Sequence, residues 1–225
     1  MEDLVKRLSR FERRTFPRYR AEYRRLVTEG QNPRALFIGC SDSRIVPYLL
    51  TGRGPGELFM VRNVGNLVPP CDEAHAGHGT AAAIEFAVLR LQVQNIIVCG
   101  HSHCGAIRGL YEDLPVTATH LRQWLELARG AVLPVCETPE ALRRVEQRSI
   151  VLQMERLMSY PMVAERVREG RLFLHGWYYV IEDGQVQVLD AERGRFEPLD
   201  RQAPAAPVTP TEIDVGHWDR FGSAP

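Results

Sequence analysis

The chain has 225 residues and a mass of 25.5 kDa, enough for one or two domains and a core that needs no disulfide scaffold. Its 28 basic and 28 acidic residues cancel, which argues against a general nucleic-acid binder. Five cysteines, at 40, 71, 99, 104 and 136, are an odd number and argue against a secreted disulfide framework. No segment approaches the roughly 18–20 apolar residues that span a membrane, and residues 1–20 carry no apolar run of signal-peptide type. A reducing, cytoplasmic location is the expectation.

Residues 1–29 read as helix, because Leu4, Leu8 and Phe11, and then Tyr19, Tyr23 and Leu26, recur at helical spacing. Pro17 is expected to divide the stretch. Lys6 is the only lysine among the 28 basic residues, and many of the arginines lie here, alternating with Glu12, Glu22 and Glu29. That pattern describes a solvated helix face rather than a surface for nucleic acid or anionic lipid. Residues 35–40 form a short apolar run and read as a buried strand, and Glu57 to Arg62 as a second. Gly77 to Leu91 is alanine-rich and helical. Asn95 to Gly100 is a third strand, apolar almost throughout. Helices are expected over 105–112, 119–130, 139–158 and 161–169, and a fourth strand over Arg171 to Ile181. Asp183-Gly184 marks a hairpin turn into a strand at Gln185 to Asp190.

Apolar strands alternating with helices predict an α/β fold: a central, mostly parallel β-sheet flanked by helices on both faces, with an N-terminal helical arm and a C-terminal antiparallel edge hairpin. We expect one domain over 1–201, of which 1–29 is the arm. A Pro- and Ala-rich tail follows over 202–225.

Two strands run directly into polar segments. The first continues as Cys40-Ser41-Asp42-Ser43-Arg44, the third as Gly100-His101-Ser102-His103-Cys104-Gly105. In an open parallel sheet, ligands bind outside the carboxyl ends of the strands, so both segments project from one edge and can meet. Cys40, His101 and Cys104 are a soft nitrogen–sulfur set suited to tetrahedral zinc, with the fourth position left for water. Asp42 lies two residues after Cys40 and can approach as a fourth ligand. Arg44 competes for the same carboxylate through a bidentate ion pair. Asp42 on the metal closes the site, whereas Asp42 on Arg44 leaves room for water.

Blander readings attach to the same residues. A single cysteine is usually a small buried hydrophobe, Ser41 and Ser43 can cap a helix beginning near Ile45, and a Cys–His pair can be nucleophilic. His103 can replace His101 as a ligand, although the His101–Cys104 spacing favours His101.

The joint pattern of CSDSR at 40–44, RNVGNLVPP at 62–70, CGHSHCGA at 99–106 and LHGWYYVIEDG at 174–184 resembles the β-class carbonic anhydrases over about residues 20–200. The resemblance implies that Cys40, His101 and Cys104 bind Zn2+ and that Asp42 with Arg44 forms a catalytic dyad. The implied reaction is reversible hydration of CO2 to bicarbonate and a proton, by zinc-bound hydroxide. Zinc lowers the pKa of bound water from about 15.7 to about 7.

Gly30-Gln31-Asn32-Pro33 is similar to the plant-type branch of that family, in which Gln31, Phe59, Val64, Phe86 and Gly105 would line the substrate site. Phe86 stands where tyrosine is common, so one hydroxyl is missing. Phe37 stands where the bicarbonate-inhibited branch carries tryptophan, which predicts an open site near neutral pH with Asp42 on Arg44. In the plant-type branch Gln31, Phe59, Val64 and Phe86 come from the neighbouring subunit, so a homodimer or higher even oligomer is implied, with the N-terminal helices packed across it.

Neither nucleic acid nor membrane is an expected partner. His75, His78, His120, His175 and His217 are candidates for proton transfer or buffering. Cys71, Cys99 and Cys136 match no ligand position. Two other activities fit the sequence less well: hydrolysis of carbonyl sulfide or carbon disulfide on the same zinc site, and a non-catalytic zinc-stabilised binding role for the arginine-rich arm. Trp218 and Phe221 in the tail suggest docking onto another subunit or a carbon-fixing assembly such as a microcompartment.

Overall fold

The computed structural model describes residues 1–72, 78–134 and 138–199. Helix α1 (Glu2–Arg10) passes through a π-helical turn (Phe11–Thr15) into α2 (Phe16–Glu29). The expected division at Pro17 takes this milder form. Pro17 sits in the first turn of α2, where a missing N–H costs little, and the wider turn before it absorbs the mismatch. Three i, i+4 ion pairs, Lys6–Glu2, Arg7–Asp3 and Arg25–Glu29, run along the exposed face. No residue of α1, the π turn or α2 is buried.

The six-stranded sheet has the order β2-β1-β3-β4-β5-β6. Strands β1 (Ala35–Cys40), β2 (Leu58–Asn63), β3 (Asn95–His101) and β4 (Phe173–Val180) are mutually parallel. Strands β5 (Gln185–Asp190) and β6 (Arg195–Pro198) close the sheet antiparallel. The expected edge hairpin is therefore β4–β5, and β6 is an added edge strand. Its Arg195 and Glu197 pair with each other, and such charges keep an exposed edge from recruiting another strand.

Between the strands lie α3 (Pro47–Thr51), α4 (Gly79–Glu85, prolonged by a π turn through Arg90), α5 (Gly105–Arg108), α6 (Thr119–Leu125, prolonged as 3-10 helix through Ala131), α7 (Pro139–Leu157) and α8 (Pro161–Arg168). Helix α5 is shorter than expected, and α3, the helix allowed for near Ile45, begins at Pro47 with no side-chain cap, so neither Ser41 nor Ser43 caps it. Helix α7 starts cleanly: the Thr138 hydroxyl accepts from the Ala141 amide, Pro139 occupies the first turn and Glu140 meets the positive end of the helix dipole.

The alternation along each strand sorts the core. Leu36, Ile38, Ile96, Val98, Leu174 and Tyr178 join the main cluster against α4, α7 and α8. Phe37, Ile97 and Cys99 point to the opposite face, where the buried cluster is small and Leu50 of α3 packs on it. Cover on the two faces is therefore unequal. A cleft of about 1030 Å3 lies on the thin side between α2, α3 and the sheet, with His175, Trp177 and Arg34 on its walls.

Helix α7 lies close on β3 and β4 because both strands present glycine to it. A methyl group on Gly100 would stand 2.7 Å from Ile150 Cγ1, and one on Gly176 would stand 2.8 Å from Met154 Sδ. The close approach brings the N-terminal half of α7 to the segment that follows β3. No helix among the described residues is long and apolar enough to cross a membrane. The tail, with Trp218 and Phe221, lies outside the described residues, as do His75, Cys136 and His217.

Candidate metal centre and active site

Cys40 ends β1, His101 ends β3, and Cys104 follows three residues later at the start of α5. Parallel register places β1 and β3 side by side, so their carboxyl ends deliver these side chains to one point. All three are buried, and their ligand atoms lie within 4.8 Å of one another. His101 Nδ1 is 2.8 Å from the Ser102 carbonyl, which can only accept, so Nδ1 carries the proton and Nε2 presents a lone pair. That Nε2 is buried without a hydrogen-bond partner. An unmatched buried acceptor costs about 1–3 kcal/mol, a cost that a cation at this point removes.

The electrostatics agree with a cation. Cys40 is lowered chiefly by the hydrogen bond from Cys104, and Cys104 is raised by the same bond and by burial. The Gly65 amide also donates to Cys40 Sγ at 3.4 Å. Burial alone would depress His101, but the Cys40 thiolate, the Ser102 carbonyl and Asp42 together raise it. One imidazole lone pair facing two sulfurs fits a soft metal ion with nitrogen and sulfur ligands.

Asp42 lies beside this point, with Oδ2 3.9 Å from His101 Nε2. It is held by Arg44 in a fork: Nε to Oδ1 at 2.9 Å and Nη2 to Oδ2 at 2.7 Å, with the Arg44 amide also donating to Oδ1 at 2.9 Å. The guanidinium keeps the Asp42 carboxyl well below the usual carboxylate range against a smaller effect of burial. Arg44 Nη2 also donates to the His103 carbonyl at 3.0 Å, which ties the dyad to the turn after β3.

Several supporting residues were invisible in the sequence. Arg62 donates to the carbonyls of Cys40 and Asp42 at 3.1 and 2.7 Å. Glu146 of α7 accepts from the Cys104 amide at 2.9 Å and from Tyr178 Oη at 2.6 Å. The Ser102 hydroxyl donates to Glu182 at 2.6 Å and accepts from the Ile181 amide at 2.9 Å. His103 is exposed at this turn with φ +57° and faces Glu182 rather than the metal point. Arg62 begins the RNVGNLVPP segment, but nothing in its spacing points to a pair of carbonyls.

Of the expected substrate-site residues, Gly105 and Val64 lie beside the cluster, Val64 on its own chain although it was expected from the neighbouring subunit. Val64 precedes Gly65, whose amide meets Cys40, and its carbonyl accepts from Trp124 Nε1 at 2.6 Å. Gly105 follows Cys104. The others lie away from it within one chain. Gln31 precedes β1, so the length of that strand, about 17 Å at 3.3 Å per residue, separates it from Cys40. Phe59 pairs with Leu36, four positions before the Cys40–Asn63 pair, and stacks on Phe86 with ring centroids 5.6 Å apart.

His78 stacks on Trp124 at 5.0 Å, and with His120 it lines an open groove along β2. His175 Nε2 meets Asn95 Oδ1 at 2.9 Å near the other end of the sheet. Phe37 is buried edge-on against Trp177. Cys99 is buried, which pushes its thiol up to about 12, and Cys71 is exposed.

Residues 35–186 match the family described as carbonic anhydrase. A carbonic anhydrase of Pseudomonas aeruginosa is 40% identical over 206 residues, covering 88% of this chain and 92% of that protein. The solved structure of the β-carbonic anhydrase CcaA superposes with a TM-score of 0.84 at 35% identity, covering 91% of this chain and 94% of that one. One of the tetrameric β-carbonic anhydrases of the filamentous ascomycete Sordaria macrospora superposes with a TM-score of 0.71 at 29% identity, covering 84% and 98%. The chain belongs to the β-carbonic anhydrase family of carbonate dehydratases.

Proposed function

We propose that this carbonic anhydrase hydrates CO2 reversibly at a zinc ion held by Cys40, His101 and Cys104, with Asp42 and Arg44 as its catalytic dyad. The observation that carries the reading is the buried, unpartnered His101 Nε2 facing two thiols beside a forked Asp42–Arg44 pair. Zinc, when bound, supplies the Lewis acidity that makes water a nucleophile near neutral pH.

The protein's part is orientation. Asp42 stays ionised beside Arg44 and is therefore acceptor-only. A water next to it points a hydrogen at the carboxylate and turns a lone pair toward the carbon of CO2. Because Arg44 occupies one lone pair on each carboxylate oxygen, Asp42 is held off the ligand point and the place for that water stays open. The released proton leaves to solvent, with His78 and His120 in the adjacent groove as acceptors on the way out.

The substrate pocket combines Val64 and Gly105 with Gln31, Phe59 and Phe86 from a second copy, since one chain cannot bring the last three to its own site. The unit is then a homodimer or a higher even oligomer, and the tetrameric Sordaria relatives fit this assembly. Gln31 donates to a substrate oxygen, and the phenylalanines give an apolar wall for a small uncharged substrate. Gln31 and the buried Phe37 favour the plant-type branch.

Stopped-flow CO2 hydration with and without a zinc chelator tests the proposal. Activity that disappears with the metal and returns on zinc addition is the expected result. Activity indifferent to the chelator rejects the zinc assignment. Faster release of sulfide from carbonyl sulfide than hydration of CO2 would reassign the substrate.

A further inference from the structure

One peptide group joins the dyad to a buried carboxylate. The carbonyl of His103 accepts from Arg44 Nη2 at 3.0 Å, and the amide of the same peptide, Cys104 N–H, donates to Glu146 Oε1 at 2.9 Å. The left-handed conformation of His103, at φ +57°, turns the peptide so that its two ends face these two partners. Glu146 is 5% exposed, and its other oxygen accepts from the hydroxyl of fully buried Tyr178 at 2.6 Å. Among the described residues it makes no ion pair with arginine or lysine. A carboxylate buried on two hydrogen bonds is an expensive way to fill space next to β3, where an apolar side chain would pack at lower cost.

The chain of donors and acceptors runs from Tyr178 through Glu146 and the 103–104 peptide to Arg44 and Asp42. Each member polarises the next, and the 103–104 peptide lies between the Glu146 carboxylate on its amide side and the Arg44 guanidinium on its carbonyl side. The same amide belongs to Cys104, so the position of Glu146 bears on where that sulfur stands.

We propose that Glu146 is a positioning residue that sets a metal ligand, Cys104, and the Asp42–Arg44 dyad at once, through the peptide between His103 and Cys104. Tyr178 fixes the carboxylate, and the close seat of α7 on Gly100 and Gly176 fixes the helix that carries it. This inference rests on Cys104 being a metal ligand as proposed above.

The test uses the full-length protein loaded with cobalt as a spectroscopic stand-in for zinc, compared with Glu146→Gln and Tyr178→Phe. Glu146→Gln keeps the volume and one acceptor but removes the charge. We expect it to fold, by circular dichroism and oligomer size, with a shifted sulfur-to-cobalt charge-transfer band. Competition with a chelator should show metal affinity about 10- to 100-fold lower, and kcat should fall with little change in KM. Tyr178→Phe should shift the band and the affinity in the same direction by less.

A folded Glu146→Gln with the wild-type band and wild-type affinity overturns the inference. If Glu146→Gln does not fold, Tyr178→Phe decides in the same way. Wild-type protein that takes up no cobalt overturns the zinc reading and this inference with it. Wild-type uptake beside an unaltered Glu146→Gln overturns this inference alone.

Discussion

Arg62 Nε donates to the carbonyl of Cys40 at 3.1 Å, so a side chain at the end of β2 fastens the end of β1 that carries the Cys40 thiol. Its Nη2 reaches the Asp42 carbonyl at 2.7 Å, and the planar fork thereby ties together the backbone carbonyls of Cys40 and Asp42. Lysine has no second donor in that geometry. Arg62→Lys should therefore fold normally and lose about tenfold in kcat/KM, and Arg62→Ala up to about a hundredfold, the scale of an ångström-level misplacement. Stopped-flow hydration beside circular dichroism checks both.

Asp42→Asn keeps the shape of the dyad and removes the charge that orients water. Hydration should fall by about 10²–10⁴, the usual range for a positioned acid–base group. Zinc content, measured by elemental analysis, should stay near that of the wild type. Loss of zinc from Asp42→Asn would mean that the carboxylate serves as a ligand in the resting protein.

Cys40→Ser, His101→Ala and Cys104→Ser should each lower bound zinc and lower thermal stability. At free metal 100 times its dissociation constant, binding adds about 2.7 kcal/mol to the folded state. A thermal scan with and without chelator should thus separate the wild type's two curves and merge those of the variants.

His175 is held below the ordinary histidine range by burial. Its folded pKa is depressed, so the unfolded chain takes up a proton that the folded chain refuses. Stability is unaffected above about pH 6.5 and falls as pH drops from 6.5 toward the folded pKa. The depressed carboxyls of Glu57 and Glu182 act lower, below about 4.5. His175→Gln keeps a donor for Asn95 and should remove about one proton from the upper acid limb in pH-dependent denaturation.

Gly176→Ala should push α7 off the sheet. The new methyl would meet Met154 Sδ at 2.8 Å and both Ile150 and Leu189 at 3.2 Å. Overpacking of this kind costs about 1–3 kcal/mol, readable as a lower Tm.

The legible parts of the sequence were those in which composition alone decides the outcome. Strands β1 and β3 are apolar over their central residues because both lie inside the sheet with their side chains buried on each face, so their runs left no competing reading. Cys40, His101 and Cys104 were legible because thiols and imidazole directly after such strands have one meeting place. Strand β6 was not: Arg-Phe-Glu-Pro has one apolar residue and makes sense only once β5 offers it an edge. Glu146 was hidden for a similar reason. Beside Arg143, Arg144 and Arg148 it reads as one more charge on a solvated helix face, and only the packing of α7 turns it inward. The unequal cover of the sheet was also missed, since periodicity tells that a face is apolar but not what lies on it.

The N-terminal arm carries a thermodynamic consequence. Its helical run covers residues 2–29 with none of them buried, whereas most helical stability in proteins comes from packing an apolar face. Leu4, Leu8 and Phe11 all face solvent on a single chain. The arm's order is then borrowed from whatever surface receives those side chains. If that surface belongs to another copy, helicity at residues 2–29 obeys mass action: dilution should melt the arm while the sheet stays folded, and the protein should have two stabilities, one of which depends on how much of it is in the tube.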